Sequence, residues 1–305
     1  MIKQKIIVDC DPGHDDAIAL LIANYSDQLD LIGVSTCAGN QTIDKTSKNA
    51  DNLLRFFDSN IKVAKGETDP IKRKVKTCPE IHGESGLDGY DFPKYQSEYD
   101  SRPAYQFLID TVLANKDITV VTTGPMTNLA LAILKCPDIT KNIKEIVLMG
   151  GSTGEGNITK EAEFNILVDP EAADICFKAG VPMRMLGLNV TRKILVTDEV
   201  IKEAEKINTR GCDLFVKLMK VFNENQRKFF GLKYGPLHDP ATIISLINEK
   251  AFVFEPMHVE IDTSDTEYLG KTRCNKAKPF NCNVATSVNL EEYWSEVYKH
   301  LRRCN

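Results

Sequence analysis

Four carboxylates lie within the eight residues Asp9-Cys10-Asp11-Pro12-Gly13-His14-Asp15-Asp16. A helix N-terminus tolerates one or two acids through its dipole, so Asp15 and Asp16 alone read equally well as decoration of a first helical turn. Asp9 and Asp11 lie on the other side of a Pro-Gly turn, where that explanation does not reach. Four converging acids repel one another unless a cation holds them. A donor set made only of oxygen suits a hard ion, Ca²⁺ or Mg²⁺.

Such a cluster needs a strand to end and a helix to begin at the same point, and the flanking pattern provides both. Lys5–Asp9 reads as a strand, and Asp15–Tyr25 places Ile18, Leu21, Ile22 and Tyr25 at helical spacing. Short apolar runs then alternate with helical patterns. The expected strands are Leu31–Thr36, Ile61–Ala64, Ile118–Thr122, Ile143–Met149 and Pro182–Leu186, followed by His258–Ile261 and Asn283–Val288. The expected helices are Ile43–Phe57, Pro103–Ala114, Pro125–Leu134, Pro170–Ala179, Asp198–Ile207, Asp213–Phe230, Pro240–Asn248 and Leu290–Leu301. Pro103 would sit in the first turn of its helix with Ser101 as a nearby cap, and Asp169 precedes another. This alternation implies βαβ units, hence an α/β fold with an open, mostly parallel but mixed sheet and helices on both faces. In such sheets ligands bind beyond the carboxyl ends of the strands, where the acids stand. Glu67–Ser101 is long, polar and irregular, a length of loop that is usually functional or disordered. With neither a linker nor an internal repeat, residues 1–305 read as a single domain.

Composition narrows the classes further. The 305 residues are 42% hydrophobic and 27% charged, an ordinary globular balance. A formal net charge of -5 with no basic stripe argues against nucleic-acid binding. No apolar run approaches the ~18 residues of a membrane-spanning helix, and the N-terminus lacks a targeting signal, so a cytoplasmic location is expected. Nine cysteines are scattered with no Cys-x-x-Cys pair, which argues against zinc and for reduced thiols. The glycine-rich stretch Gly150–Gly156 does not fit G-x-G-x-x-G, which removes a dinucleotide site. Asp9-Cys10-Asp11 also matches the start of a haloacid dehalogenase-type phosphohydrolase motif. Gly13 stands where that family wants Thr or Val, and phosphate release from a generic phosphoester would discriminate.

Val-Asp-Cys-Asp-Pro-Gly-His-Asp-Asp-Ala, of the form D-x-D-P-G-x-D-D, resembles the signature of the inosine–uridine-preferring nucleoside hydrolases. The likeness continues through Asn40, Thr122–Asn128, Met149-Gly150-Gly151, Glu163-Phe164-Asn165 and His238-Asp239-Pro240, in matching order over most of the chain. It implies a Rossmann-like nucleoside hydrolase fold and one Ca²⁺ held by Asp11, Asp16, Asp239 and the Thr123 carbonyl, with Asp9 orienting these ligands. It implies ribose hydroxyls on Asp15 and Asn40, and Asn157, Glu163, Phe164 and Asn165 around the sugar with Met149 beneath it. Read alone, Asn40 and Asn157 are ordinary turn residues.

The resemblance places His82 and His238 against the nucleobase, which makes the reaction hydrolysis of a ribonucleoside to ribose and free base. Asp11 would take the proton of the attacking water. His238, whose unperturbed pKa near 6.5 is close to working pH, would protonate the departing base. Phe222, Gln226 and Phe230 lie on the helix expected to close over the base. Gln226 resembles the pyrimidine-preferring members, because an amide donates and accepts at once on a pyrimidine edge. Gln226 reads equally as a residue of a solvated helix face, which leaves a purine-accepting enzyme of broad specificity as the alternative. The resemblance further implies a homo-oligomer, dimer or tetramer. Two other classes stay open, a non-catalytic nucleoside binder and a phosphorylase. The intact Asp11, Asp16, Asp239 and His238 set speaks against the first, and the lack of a basic phosphate pocket against the second.

Overall fold

The first strand, β1 (Gln4–Cys10), buries both of its faces: Ile6 and Val8 pack into one hydrophobic core and Ile7 into another. A continuous apolar run buried in this way is the condition of a central parallel strand. The computed structural model describes residues 3–305. Met1 and Ile2, the start of the segment read as lacking a targeting signal, lie outside the described residues.

The remaining strands are β2 (Leu29–Thr36), β3 (Val63–Lys65), β4 (Ile118–Thr122), β5 (Ile143–Met149), β6 (Met183–Leu186), β7 (Phe252–Ile261), β8 (Thr272–Asn275) and β9 (Cys282–Val288). They form one nine-stranded sheet in the order β3-β2-β1-β4-β5-β6-β9-β7-β8. Every neighbouring pair is parallel except β9–β7 and β7–β8, which are antiparallel. The expected mixed α/β sheet is therefore present. From β1 the chain winds outward to β2 and β3, then returns to the other flank of β1 as β4. That reversal opens a crevice beyond the carboxyl ends of β1 and β4.

The helices are α1 (His14–Tyr25), α2 (Ile43–Phe56), α3 (Pro79–His82), α4 (Ala104–Leu113), α5 (Thr127–Lys135), α6 (Phe164–Val168), α7 (Pro170–Phe177), α8 (Leu188–Thr191), α9 (Asp198–Glu205), α10 (Arg210–Phe230), α11 (Pro240–Ile247) and α12 (Leu290–Arg303). The core on one face of the sheet takes residues of α1, α2 and α9–α12, and the core on the other takes residues of α4, α5 and α7. α1 is buried from His14 to Ala23. A helix enclosed on all sides carries its acids with it, which is how Asp15 and Asp16 come to be inside the protein.

Several local expectations differ. β7 begins at Phe252 rather than at His258, because its first residues pair with β9 before β8 begins. β8 and the short helices α3, α6 and α8 carry too few residues to show a period. Pro103 occupies the N-cap of α4, and no side chain caps that helix, so Ser101 does not serve there. Asp169 does cap α7, accepting the Ala172 amide. All nine cysteines are unpaired. Among the described residues no helix is long and apolar enough to cross a membrane.

Candidate active site

Asp9 lies near the end of β1, Asp11 to Asp16 lead from it into α1, Thr123 follows β4, and Asp239 precedes α11, so the crevice collects acids from segments far apart in sequence. Asp15, Asp16 and Asp239 each place a carboxylate oxygen within 4.8 Å of the other two, and all three are buried. Asp11 borders this trio, its carboxylate fixed from both sides. The Asn40 amide donates to Asp11 Oδ2 at 2.7 Å, and the carboxylate is wedged between two glycines. A Cβ on Gly39 would stand 2.2 Å from Oδ2, and one on Gly124 2.5 Å from Oδ1.

The cluster is under electrostatic load. Burial, and then repulsion from Asp16, drive the Asp11 carboxyl well above its usual range and bring Asp15 up to about 7. Burial also raises Asp16, while burial and the charges of Asp15, Asp16 and Asp11 raise Asp239 well above the ordinary value. Asp16 is the best satisfied, accepting from the Gly13 amide at 3.0 Å and from Thr123 Oγ1 at 2.7 Å. Oδ1 of Asp11 and Oδ1 of Asp15 are buried with no hydrogen-bond partner among the described residues. Buried polar atoms normally find partners, so unpartnered carboxylate oxygens beside the converging Asp15, Asp16 and Asp239 fit the donor set of a bound cation. The donors are all oxygen, as a hard divalent ion requires. Beneath them, burial raises Asp9 to about 6, against hydrogen bonds from Asn128 and Ser35 that lower it.

Above the acids opens a cavity of about 680 Å³, a volume suited to a small molecule. Its lining contains Asp15, Asn40, His82, Thr123, Met149, Asn157, Glu163, Phe164, Asn165, Gln226, Phe230, His238 and Asp239, so nearly every residue singled out in the sequence meets here. Asp11 and Asp16 lie behind that lining.

Several of these side chains hold one another more than the sequence suggested. The Asn40 amide group donates to the Asp11 carbonyl at 3.1 Å and to Asp16 Oδ2 at 3.2 Å, which clamps the acid loop. Asn165 Nδ2 donates to the Thr123 carbonyl at 2.8 Å and to the Met149 carbonyl at 3.1 Å, orienting the one predicted backbone ligand. Glu163 caps α6 and also receives the Gly151 amide at 3.0 Å, and its burial lifts it to about 7. The exposed Asn157 accepts the Phe164 amide at 2.9 Å through Oδ1.

To the same lining α10 brings Gln226 and Phe230, and α3 brings His82. Gln226 is buried, and no protein atom among the described residues is hydrogen-bonded to its side-chain amide. Phe230 is 44% exposed and stands at the mouth. Burial holds His82 well below the ordinary histidine range. His238 departs from expectation: burial, with Arg192 second, pushes it down to about 3, so the ring is neutral near pH 7 rather than poised to titrate there. Its Nδ1 lies 2.7 Å from Thr191 Oγ1 at the end of α8. Ile81, Leu195, Tyr234 and Arg192 also stand in the lining, unforeseen from the sequence. None carries a motif; Ile81 alone was signalled, by adjacency to His82.

Residues 6–295 match the family model described as inosine-uridine preferring nucleoside hydrolase. The chain is 40% identical over 307 aligned residues to the pyrimidine-specific ribonucleoside hydrolase RihB of Shigella flexneri serotype 5b, covering 99% of this chain and 98% of that protein. Among solved structures it resembles a plant nucleoside hydrolase, the PpNRh1 enzyme, with a TM-score of 0.93, 28% identity and 99% of each chain covered. It also resembles a purine-preferring ribonucleoside hydrolase from Gardnerella vaginalis, with a TM-score of 0.90, 29% identity and 98% of this chain and 99% of that one covered.

Proposed function

The chain belongs to the inosine-uridine preferring nucleoside hydrolase family, and from that premise we propose that it cleaves the N-glycosidic bond of ribonucleosides, pyrimidine nucleosides foremost, to ribose and free base. One observation carries the reading: buried acids with orphaned oxygens sit at the floor of a cavity whose far wall offers an unpartnered amide.

Asp11, Asp16, Asp239 and the Thr123 carbonyl would hold a divalent cation, for which we propose Ca²⁺, with Asp15 beside it. When bound, that ion supplies positive charge that lowers the proton affinity of water and fixes sugar hydroxyls. Asp11 is the proposed base: its free Oδ1 accepts a proton from the attacking water while the Asn40 amide holds Oδ2. Asp15 and Asn40 are proposed to bind ribose hydroxyls, Met149 to pack beneath the ring, and Asn157, Phe164 and Asn165 to enclose its 5′ side. Glu163 places negative charge near a sugar that becomes oxocarbenium-like as the bond breaks. His238 remains the proposed donor to the departing base. The ring is neutral near pH 7, so it would first take a proton from solvent, which negative charge developing on the leaving base favours, and then pass it to that base.

Pyrimidine preference is supported by the relative at 40% identity and by Gln226, whose amide can donate and accept on one base edge. The likeness to a purine-preferring enzyme keeps inosine as the second substrate to assay. The continuous sheet from β3 to β8 supports reading residues 1–305 as one domain, and the unpaired cysteines support a reducing, cytosolic location. A homo-oligomer is proposed with these, and a solution mass of one chain removes it.

The test is ribose release from uridine and from inosine without phosphate, before and after chelation, and repeated for Asp11→Ala. Release that depends on Ca²⁺ and on Asp11 is expected. Phosphate-dependent cleavage, or none, would sink the reading.

A further inference from the structure

His14 fills the one open position between Gly13 and the paired acids Asp15 and Asp16, and no step above uses it. It is fully buried, at 0% exposure. Its Nε2 lies 2.8 Å from the Asp88 carbonyl. A carbonyl only accepts, so Nε2 carries the hydrogen. Its backbone amide donates to His82 Nδ1 at 3.1 Å, and the two Nδ1 atoms are 3.2 Å apart. With Nδ1 accepting, neutral His82 keeps its proton on Nε2.

The rings form a small stack. His14 and His82 lie 5.4 Å apart at 25°, His82 and Phe222 5.9 Å apart at 25°, and His14 and Phe222 5.6 Å apart at 36°. His82 and Phe222 both line the cavity on its base side, whereas His14 stands outside the lining. Gly13 permits this approach, since a Cβ there would meet His82 Nδ1 at 2.5 Å. The turn that follows His82 closes on Asp88, whose carboxylate accepts the Glu84 and Ser85 amides at 3.1 and 3.0 Å.

We propose that His14 is a positioning residue: its ring braces His82 against Phe222 and ties the 83–88 turn to the start of α1, so that one segment sets both the acid floor and the base-side wall. The sugar end does not depend on this brace, because Asp11 and Asp16 keep their own partners in Asn40, Gly13 and Thr123. The proposal rests on the nucleoside reading of the pocket.

Two variants test it. His14→Leu keeps apolar bulk and loses the donor. His14→Gln retains an amide that can reach Asp88 from the position of Nε2. Uridine hydrolysis, inhibition by free ribose and thermal melting are measured for each with Ca²⁺ present. For His14→Leu, KM for uridine rises about tenfold, the scale of one lost hydrogen bond with its packing. Its kcat changes less, ribose inhibition is unchanged, and His14→Gln recovers most of the loss. Equal weakening of uridine and ribose, or a His14→Leu enzyme with the wild-type KM, overturns the brace while leaving nucleoside hydrolysis intact. A wild-type enzyme that releases no ribose from uridine overturns both.

Discussion

Gly124→Ala adds a single methyl group, and the structure states what that group must meet. Its Cβ would lie 2.5 Å from Asp11 Oδ1 and 2.7 Å from Cys37 Sγ, about 0.9 Å short of ordinary van der Waals contact for the first. Asp11 has little room to retreat, because Gly39 crowds its other oxygen and the Asn40 amide holds it at 2.7 Å. The carboxylate therefore turns, or the loop after β4 shifts and takes the Thr123 carbonyl with it. Either movement displaces the proposed base or a proposed ligand by most of an ångström. A misplacement of that size costs roughly 100-fold in rate, and overpacking a buried site costs about 1–3 kcal/mol of stability. The assay is ribose release from uridine at saturating Ca²⁺, with a thermal melt of the same sample. Gly154→Ala is the control, since a Cβ there meets nothing within 4 Å. The expected result is kcat down about 100-fold in a folded protein with a lowered melting temperature, and a silent control. A Gly124→Ala enzyme within about threefold of wild type would refute the reasoning, because Asp11 could then move without consequence.

Glu163→Gln should show a pH-dependent stability difference. Burial raises the Glu163 pKa to about 7 in the fold, so its contribution is fully present below the unfolded value of 4.5 and is lost as pH rises through 7. The shift bounds the change at roughly 3 kcal/mol, and the advantage of wild type over Glu163→Gln should shrink between pH 5 and pH 8; a constant gap in urea melts would contradict it. Gln226→Leu should lower kcat/KM for uridine by roughly 10- to 100-fold, the effect of an unpaired polar edge, and reduce the uridine-to-inosine ratio; an unchanged ratio would place Gln226 outside base recognition. Chelation should lower the melting temperature as well as activity, since an ion at about 100 times its Kd stabilises by roughly 2.7 kcal/mol, and Asp239→Asn should blunt that response. Deoxyuridine should be a poor substrate, and turnover comparable to uridine would argue against a 2′-hydroxyl contact.

Much of this architecture is legible in the sequence because the relevant signals are local. β4 and β5 begin and end where their apolar runs do. The Asp-rich turn declares its place because four acids in eight residues have few structural explanations. The short elements are illegible for a related reason. α3 and α8 have four residues each, too few for a period, yet they deliver His82 and the Thr191 partner of His238. The His238 charge state was missed for a different cause. A reference pKa describes a solvated ring, and only the folded environment reveals the burial that pushes it to about 3.

The same contrast explains how the site is divided. The residues that read clearly from sequence are charged and clustered, and they build the acidic floor proposed to serve any nucleoside. The wall proposed to face the base comes from α3, the long loop after β3, and the C-terminal part of α10, where Gln226 and Phe230 stand. The groups proposed to read the base there are neutral ones: an amide, two uncharged imidazoles and aromatic faces. Such groups recognise by shape and by single hydrogen bonds, each worth about a kilocalorie per mole. Small changes in their placement therefore alter which base is accepted without disturbing the acids below. Substitutions in this wall should trade one base for another, whereas substitutions in the floor should remove activity on all of them.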